Sequence, residues 1–147
     1  MMIYTMSYGH PLWDETADFA ENCSWRAGKV LAHQMRDNRF SDNERVFAAT
    51  EDGRIIGFCT FSEKDSLPDD APYTPFIGFM FVDELARGRR ISQKMIGEAE
   101  AFAKHMGFDA IYIISEEQGL YEKYGFVKTD DCKTVYGTVE QLLMKKL

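Results

Sequence analysis

The sequence predicts an α/β chain built on a mixed central β-sheet with helices on both faces. Three observations carry that reading. Phe76-Ile77-Gly78-Phe79-Met80-Phe81-Val82 is an almost continuous apolar run, as expected of a central strand covered on both faces. It is followed by a long helical pattern and then a second short apolar run, Ala110 to Ile114, so the interior reads strand, helix, strand. Such a unit is parallel and right-handed, whereas the Asp52-Gly53 hairpin upstream is antiparallel, and a sheet holding both is mixed.

Each element has its own signal. Alternating apolar residues in Met2 to Met6 predict a first strand, and the Gly9-His10-Pro11 turn introduces a helix with Leu12, Phe19 and Cys23 on one face. A second helix is expected from an N-cap at Ser24, with Val30, Leu31 and Met35 inward, ending before Asp37-Asn38. Arg45 to Thr50 and Arg54 to Phe61 are β-like runs joined through Glu51-Asp52-Gly53. Lys64 to Pro75 is polar and proline-rich and reads as a loop with Asp65, Asp69 and Asp70 solvated.

After the central run, Met95, Ile96, Ala99, Phe102, Ala103 and Met106 recur at helical spacing, and Gly107-Phe108 stops that helix. A short helix is expected over Gln118 to Tyr124, closed by Gly125-Phe126. Two final strands are expected around Phe126 to Lys128 and Thr138 to Met144. No linker, repeat or low-complexity tract interrupts the chain, so residues 1–147 read as a single domain, within the range of about 50 to 250 residues that compact domains occupy.

Composition narrows the function classes. With 45% hydrophobic and 14% aromatic residues, the chain is suited to burial rather than disorder. A formal net charge of −7 argues against nucleic acid and anionic membrane as partners and mildly favours a cationic one. Cys23, Cys59 and Cys132 are odd in number and far apart, which fits reduced thiols and neither a disulfide framework nor a metal site. The start, Met1-Met2-Ile3-Tyr4, lacks a signal-peptide pattern, so a cytoplasmic location is expected.

Chemistry concentrates at two places. Arg87-Gly88-Arg89-Arg90-Ile91-Ser92 runs from a strand into a helix, where the first helical N–H groups lack internal partners and can meet an anion such as a phosphate. Gly88 permits close backbone approach, and no Gly-Lys-Ser/Thr signature of a P-loop is present. The second place is Leu120-Tyr121-Glu122-Lys123-Tyr124-Gly125-Phe126, where the Tyr121 phenol, protonated at neutral pH with an ordinary pKa of about 10, can donate a proton to a departing thiolate. Taken separately, the first segment serves equally as a solvated basic turn and the second as packing tyrosines.

In this order, with a long helix and a strand between them, the two segments resemble the GNAT superfamily of acetyltransferases over roughly Phe76 to Lys128. The first aligns with that family's acyl-CoA loop (Arg or Gln, two residues, Gly, one residue, Gly or Ala). The second aligns with its Tyr-Glu-Lys-x-Gly-Phe pattern. The resemblance implies that the backbone of Arg87, Gly88, Arg89, Arg90, Ile91 and Ser92 holds the pyrophosphate of acetyl-CoA. It also implies that Phe81 and Val82 bond the pantetheine arm and that Tyr121 is the general acid near the thioester sulfur. The chain departs from the motif at Arg90, where the family has its first glycine, and at Ser92, its second small position; the Arg90 side chain must therefore point away from the phosphates.

The implied reaction is direct transfer of an acetyl group from acetyl-CoA to a primary amine of a small molecule or peptide, with backbone donors near the strand end stabilising the oxyanion. The implied cosubstrate needs no metal, and homodimers are common in families of this type. Glu84, Glu116, Glu63 and Asp65 are candidate bases, with His10, His33 and His105 weaker ones. Trp13, Trp25 and Tyr73 are candidates to line the acceptor cleft between the first two helices and the Lys64 to Pro75 loop. A non-catalytic acyl-CoA-binding or regulatory module stands as the alternative, and acyl-CoA hydrolysis as a third reading without an evident nucleophile.

Overall fold

The computed structural model describes residues 1–147. Its strands are β1 (Met2–Met6), β2 (Arg45–Glu51), β3 (Arg54–Ser62), β4 (Phe76–Val82), β5 (Ala110–Ser115), β6 (Val127–Lys133) and β7 (Val139–Lys146), and its helices are α1 (Trp13–Asn22), α2 (Ala27–Arg36) and α3 (Ile91–His105). Short 3₁₀ turns lie at Glu84–Ala86 and Tyr121–Tyr124. All seven strands form one sheet in the order β1-β2-β3-β4-β5-β7-β6, antiparallel except for β4 and β5. The sheet is mixed, as the sequence predicts.

Strand alternation divides the core between the two faces. Val46, Ala48 and Phe58 pack with Trp13, Ala17, Ala20, Leu31 and Met35 of α1 and α2. Their neighbours Phe47, Ala49, Cys59 and Phe61 pack on the other side with Ile91, Met95, Ile96 and Ala99 of α3. The β2–β3 hairpin closes at Glu51↔Arg54 with Asp52 at φ 52° and Gly53 at φ 76°, the paired positive angles that a tight two-residue hairpin turn demands. The Trp13 indole N–H donates to the Met35 carbonyl at 2.9 Å, tying the start of α1 to the end of α2.

Three expectations are corrected here. Ser24 does not cap the second helix, which starts at Ala27 without a side-chain cap; its hydroxyl instead donates to Glu84 Oε1 across the cleft mouth. Val30 points outward at 48% exposure, leaving Leu31, Ala32 and Met35 to fill the inner face. The central strand is covered on both faces only in part: Gly78, Phe79, Met80 and Val82 are half-buried, because the sheet parts beside them.

Candidate active site

The parting of β4 from β5 makes the site. These strands pair at Phe76↔Tyr112, supported by the Tyr112 N–H donating to the Pro75 carbonyl at 3.0 Å, and then diverge while β5 turns all six of its residues to β7. On its other edge β4 carries a bulge: Phe58↔Phe81 and Thr60↔Gly78 leave one extra residue on β4, and Phe79 adopts φ 48°. A positive φ at a bulky residue is costly and marks a strand being bent. Beyond Phe76 the β4 edge that faced β5 therefore presents amides without strand partners, beside a cleft of about 1180 Å³.

One end of the cleft leads to the turn before α3. Gly88 has φ 81° with open space where a β-carbon would stand, and Arg90 occupies the left-handed region at φ 59°, ψ 30°, as the N-cap. No side chain caps α3, so its first-turn amides keep their hydrogen-bonding capacity for an anion. The turn thus offers an approaching anion free backbone N–H groups and, at Gly88, no β-carbon in the way.

The three arginines of this turn separate. Arg89 pairs with Glu51 on the β2–β3 hairpin, Nη1 donating to Oε1 at 2.8 Å and Nη2 to Oε2, and its guanidinium holds the Glu51 carboxyl below the usual range. Arg87 lies 5.5 Å over the Phe81 ring while its Nε donates to the Val82 carbonyl at 3.0 Å. That carbonyl retains a second lone pair for an incoming donor. Arg90 is exposed, its side chain in no hydrogen bond or ion pair with the chain.

Tyr121 stands on the cleft wall opposite β4, 6% exposed, its hydroxyl without a hydrogen bond to protein. Burial, reinforced by the nearby Cys59, Glu117 and Tyr124, pushes its pKa above the ordinary 10.0, so the phenol keeps its proton. The 3₁₀ turn that holds it is closed by Gly125, φ 95°, and Phe126, just before β6, is buried beneath it. Ser92 Oγ and Tyr124 Oη meet at 3.1 Å, so the two motifs of the sequence touch.

The cleft is acidic: Glu44, Asp65, Glu84, Glu116, Glu117 and Glu140 line it against Arg39, Lys64 and Arg87. Glu84 and Glu116 thus join the site, whereas Glu63 lies off the wall, its N–H donating to Glu44 Oε2 at 2.9 Å. Asp65 is half-buried in the cleft wall rather than fully solvated as expected, its carboxyl raised above the usual range mainly by burial. Trp25 lines the cleft, stacked on Phe81 at 6.2 Å and 5°. Trp13 lies in the core at 2% exposure, and Tyr73 packs on Tyr112 at 5.3 Å, so neither lines it. The histidines stand elsewhere: His10 Nδ1 accepts from the Leu12 N–H at 3.0 Å, and His33 and His105 are exposed on helices. Sequence reasoning missed Phe79, Met80 and Glu140 as site residues; Gly78 within an apolar strand was the available hint of a bulge.

Solved structures share this arrangement of elements. An aminoglycoside 6'-N-acetyltransferase complexed with coenzyme A superposes with a TM-score of 0.76 at 15% identity, covering 99% of this chain and 97% of that one. A GNAT family N-acetyltransferase from Escherichia coli in complex with CoA gives 0.73 at 21% identity, covering 99% and 80%. A ribosomal-protein-alanine N-acetyltransferase from Brucella melitensis gives 0.69 at 18%, covering each chain fully at 100%. At these identities the likeness is one of fold, and no curated protein matches the sequence. No helix is long and apolar enough to cross a membrane. The family model for the acetyltransferase (GNAT) family matches residues 10–126, from the first turn to the phenylalanine that closes the Tyr121 motif, and the chain belongs to that family.

Proposed function

We propose that this chain moves an acetyl group from acetyl-CoA to a primary amine of a small molecule or peptide by direct transfer in the β4–β5 cleft. The observation that carries the proposal is the Tyr121 hydroxyl, kept protonated and unpartnered on the wall of the gap whose other wall is the unpaired edge of β4. When bound, acetyl-CoA supplies an electrophilic thioester carbon and a thiol leaving group. The α3 turn, Arg87 to Ser92, holds its diphosphate through backbone N–H groups, and the backbone of Phe81 and Val82 guides the pantetheine arm. Amides along the β4 edge meet the charge that develops on the carbonyl oxygen, and Tyr121 gives its proton to the departing sulfur.

The acceptor enters from the side of Trp25 and the acidic lining, which favours an ammonium over a neutral or anionic group. The test is a screen of diverse amines with acetyl-CoA, following free thiol, alongside calorimetry with coenzyme A. The expected result is coenzyme A binding plus amine-dependent thiol release that Tyr121→Phe lowers by about 10²-fold or more. Binding without thiol release from any amine would replace this reading with a non-catalytic acyl-CoA-binding module. Unchanged release by Tyr121→Phe across pH would remove the acid role alone.

A further inference from the structure

An amine near the ordinary lysine pKa of about 10.4 arrives protonated and cannot attack until it loses a proton. We propose that Asp65 is the base that takes it, from a position over Gly78 inside the cleft. The assignment rests on the acetyl-transfer reading above.

The geometry of β4 makes room for this carboxylate. Asp65 Oδ2 would lie 2.7 Å from a β-carbon on Gly78, with Thr60 Oγ1 3.2 Å from the same point, so Oδ2 occupies the space that any side chain at position 78 would fill. Oδ1 accepts from the Ser66 N–H at 2.6 Å, and the Ser66 hydroxyl also interacts with the carboxylate, so Ser66 holds it in place from two sides. The loop is braced from both sides: the Ser62 hydroxyl donates to the Lys64 carbonyl at 2.7 Å, and the Val135 N–H of the β6–β7 turn donates to the Ser66 carbonyl at 2.7 Å. Leu67 is buried immediately beyond. A held carboxylate oxygen therefore stands one residue from the β4 bulge, where the strand edge opens toward the thioester.

The other acids are less suited. Glu44 is occupied by the N–H groups of Ser41 and Glu63 at 2.9 Å each, Glu84 by Ser24, and Glu140 by the Thr138 hydroxyl at 2.9 Å. Glu116 and Glu117 are exposed. Around Asp65, β3 and β4 offer the neutral Thr60 and Gly78, and β7 offers the negative Glu140. On its own loop, Lys64 turns its Nζ to the Asp69 carbonyl. Burial outweighs the Ser66 hydrogen bonds and, with a smaller push from Glu140, raises its affinity for a proton, which narrows the gap to the ammonium and makes the transfer less uphill.

Protons balance as follows. The ammonium gives one proton to Asp65, which later returns it to solvent. The freed lone pair forms the C–N bond, the C–S bond breaks, and the sulfur takes the Tyr121 proton. The second proton, shed by nitrogen as the amide forms, restores Tyr121.

The test uses the full chain with acetyl-CoA and two acceptor sets: alkylamines, protonated at neutral pH, and weakly basic alkoxyamines, already neutral there. Asp65→Asn is expected to lower kcat for alkylamines by about 10²- to 10⁴-fold and to move the acid limb of the kcat/KM pH profile up toward the amine's own pKa. Calorimetric affinity for coenzyme A stays unchanged, the loss shrinks sharply with alkoxyamines, and Asp70→Asn on the same loop has no effect. Gly78→Ala, which keeps the carboxylate but displaces it, should give a smaller loss of the same selectivity, and it carries the test if Asp65→Asn fails to fold. An acid limb that stays at its wild-type position in Asp65→Asn, or equal losses with both acceptor sets, would overturn the assignment while leaving acetyl transfer standing. A wild-type chain that binds coenzyme A but acetylates neither set would overturn both.

Discussion

Ser92 Oγ and Tyr124 Oη lie 3.1 Å apart, so the first turn of α3 is joined by a hydroxyl pair to the 3₁₀ turn that carries Tyr121. The contact couples the proposed diphosphate cradle to the proposed acid. The Tyr124 backbone is tied in turn to β7, its carbonyl accepting from Lys145 Nζ at 2.8 Å. Tyr124→Phe and Ser92→Ala should each cost about 0.5–1.5 kcal/mol of stability, the net worth of one such hydrogen bond. In a double-mutant cycle measured by urea unfolding the two losses should not add, because both remove the same bond. Additive losses would show that the hydroxyls do not interact.

Arg90 and Gly88 make opposite predictions in the same turn. Arg90 holds φ 59° where a side chain costs about 1–2 kcal/mol, so Arg90→Gly should relieve that strain, less about 0.5–1 kcal/mol for the greater freedom of glycine in the unfolded chain. The melting temperature should rise slightly, by about 2–4 °C per kcal/mol gained for a chain of this size. Gly88→Ala meets no clash, since its β-carbon would enter open space, yet at φ 81° it should lose about 1–2 kcal/mol through backbone strain alone. Thermal melts of the two variants check both signs.

Local signals made much of this molecule legible. The Asp52-Gly53 turn, the periodicity of α3 and the apolar runs of β4 and β5 each depend on neighbours in sequence, and each element forms where they indicate. What was not legible depends on long-range pairing. The cleft exists because β5 spends its edge on β7 and because Phe79 bends β4, and neither follows from an apolar run that reads as an ordinary buried strand. Asp65 reads as solvated because its loop is polar, yet part of what holds the loop over the cleft comes from the β6–β7 turn, about seventy residues away, through Val135 and Ser66. Ser24 has the composition of a cap but meets Glu84 across the cleft, a contact that local propensity cannot anticipate.

Gly28 sets how closely α1 and α2 approach. A β-carbon there would stand 2.2 Å from the Ala20 carbonyl oxygen and 2.7 Å from Cys23 Sγ. The first of these is backbone inside a helix and cannot rotate aside. Gly28→Ala must therefore push the helices apart, and despite its better helix propensity it should destabilise the chain by about 1–3 kcal/mol. Urea unfolding measures the loss; a stabilised variant would mean that the helix pair slides without cost.

Alkaline stability should report the two buried acids behind the cleft. Burial raises Cys59 above its ordinary 9.0 and Tyr121 above its ordinary 10.0, so the folded chain holds both protons after the unfolded chain has begun to release them. Where the unfolded state binds fewer protons, stability falls with rising pH. The contribution is intact below pH 9, declines first through Cys59 and, above pH 10, through Tyr121 as well. Unfolding midpoints in urea should thus be level from pH 7 to 8.5 and drop at pH 10.5, with a shallower drop in Tyr121→Phe, which has no phenol to ionise. Because the same burial keeps the phenol protonated, catalysis by the wild-type chain should show no alkaline limb from Tyr121 over the range in which the fold persists. An alkaline limb near the ordinary tyrosine value that vanished in Tyr121→Phe would show that burial does not raise the hydroxyl's pKa in the cleft wall.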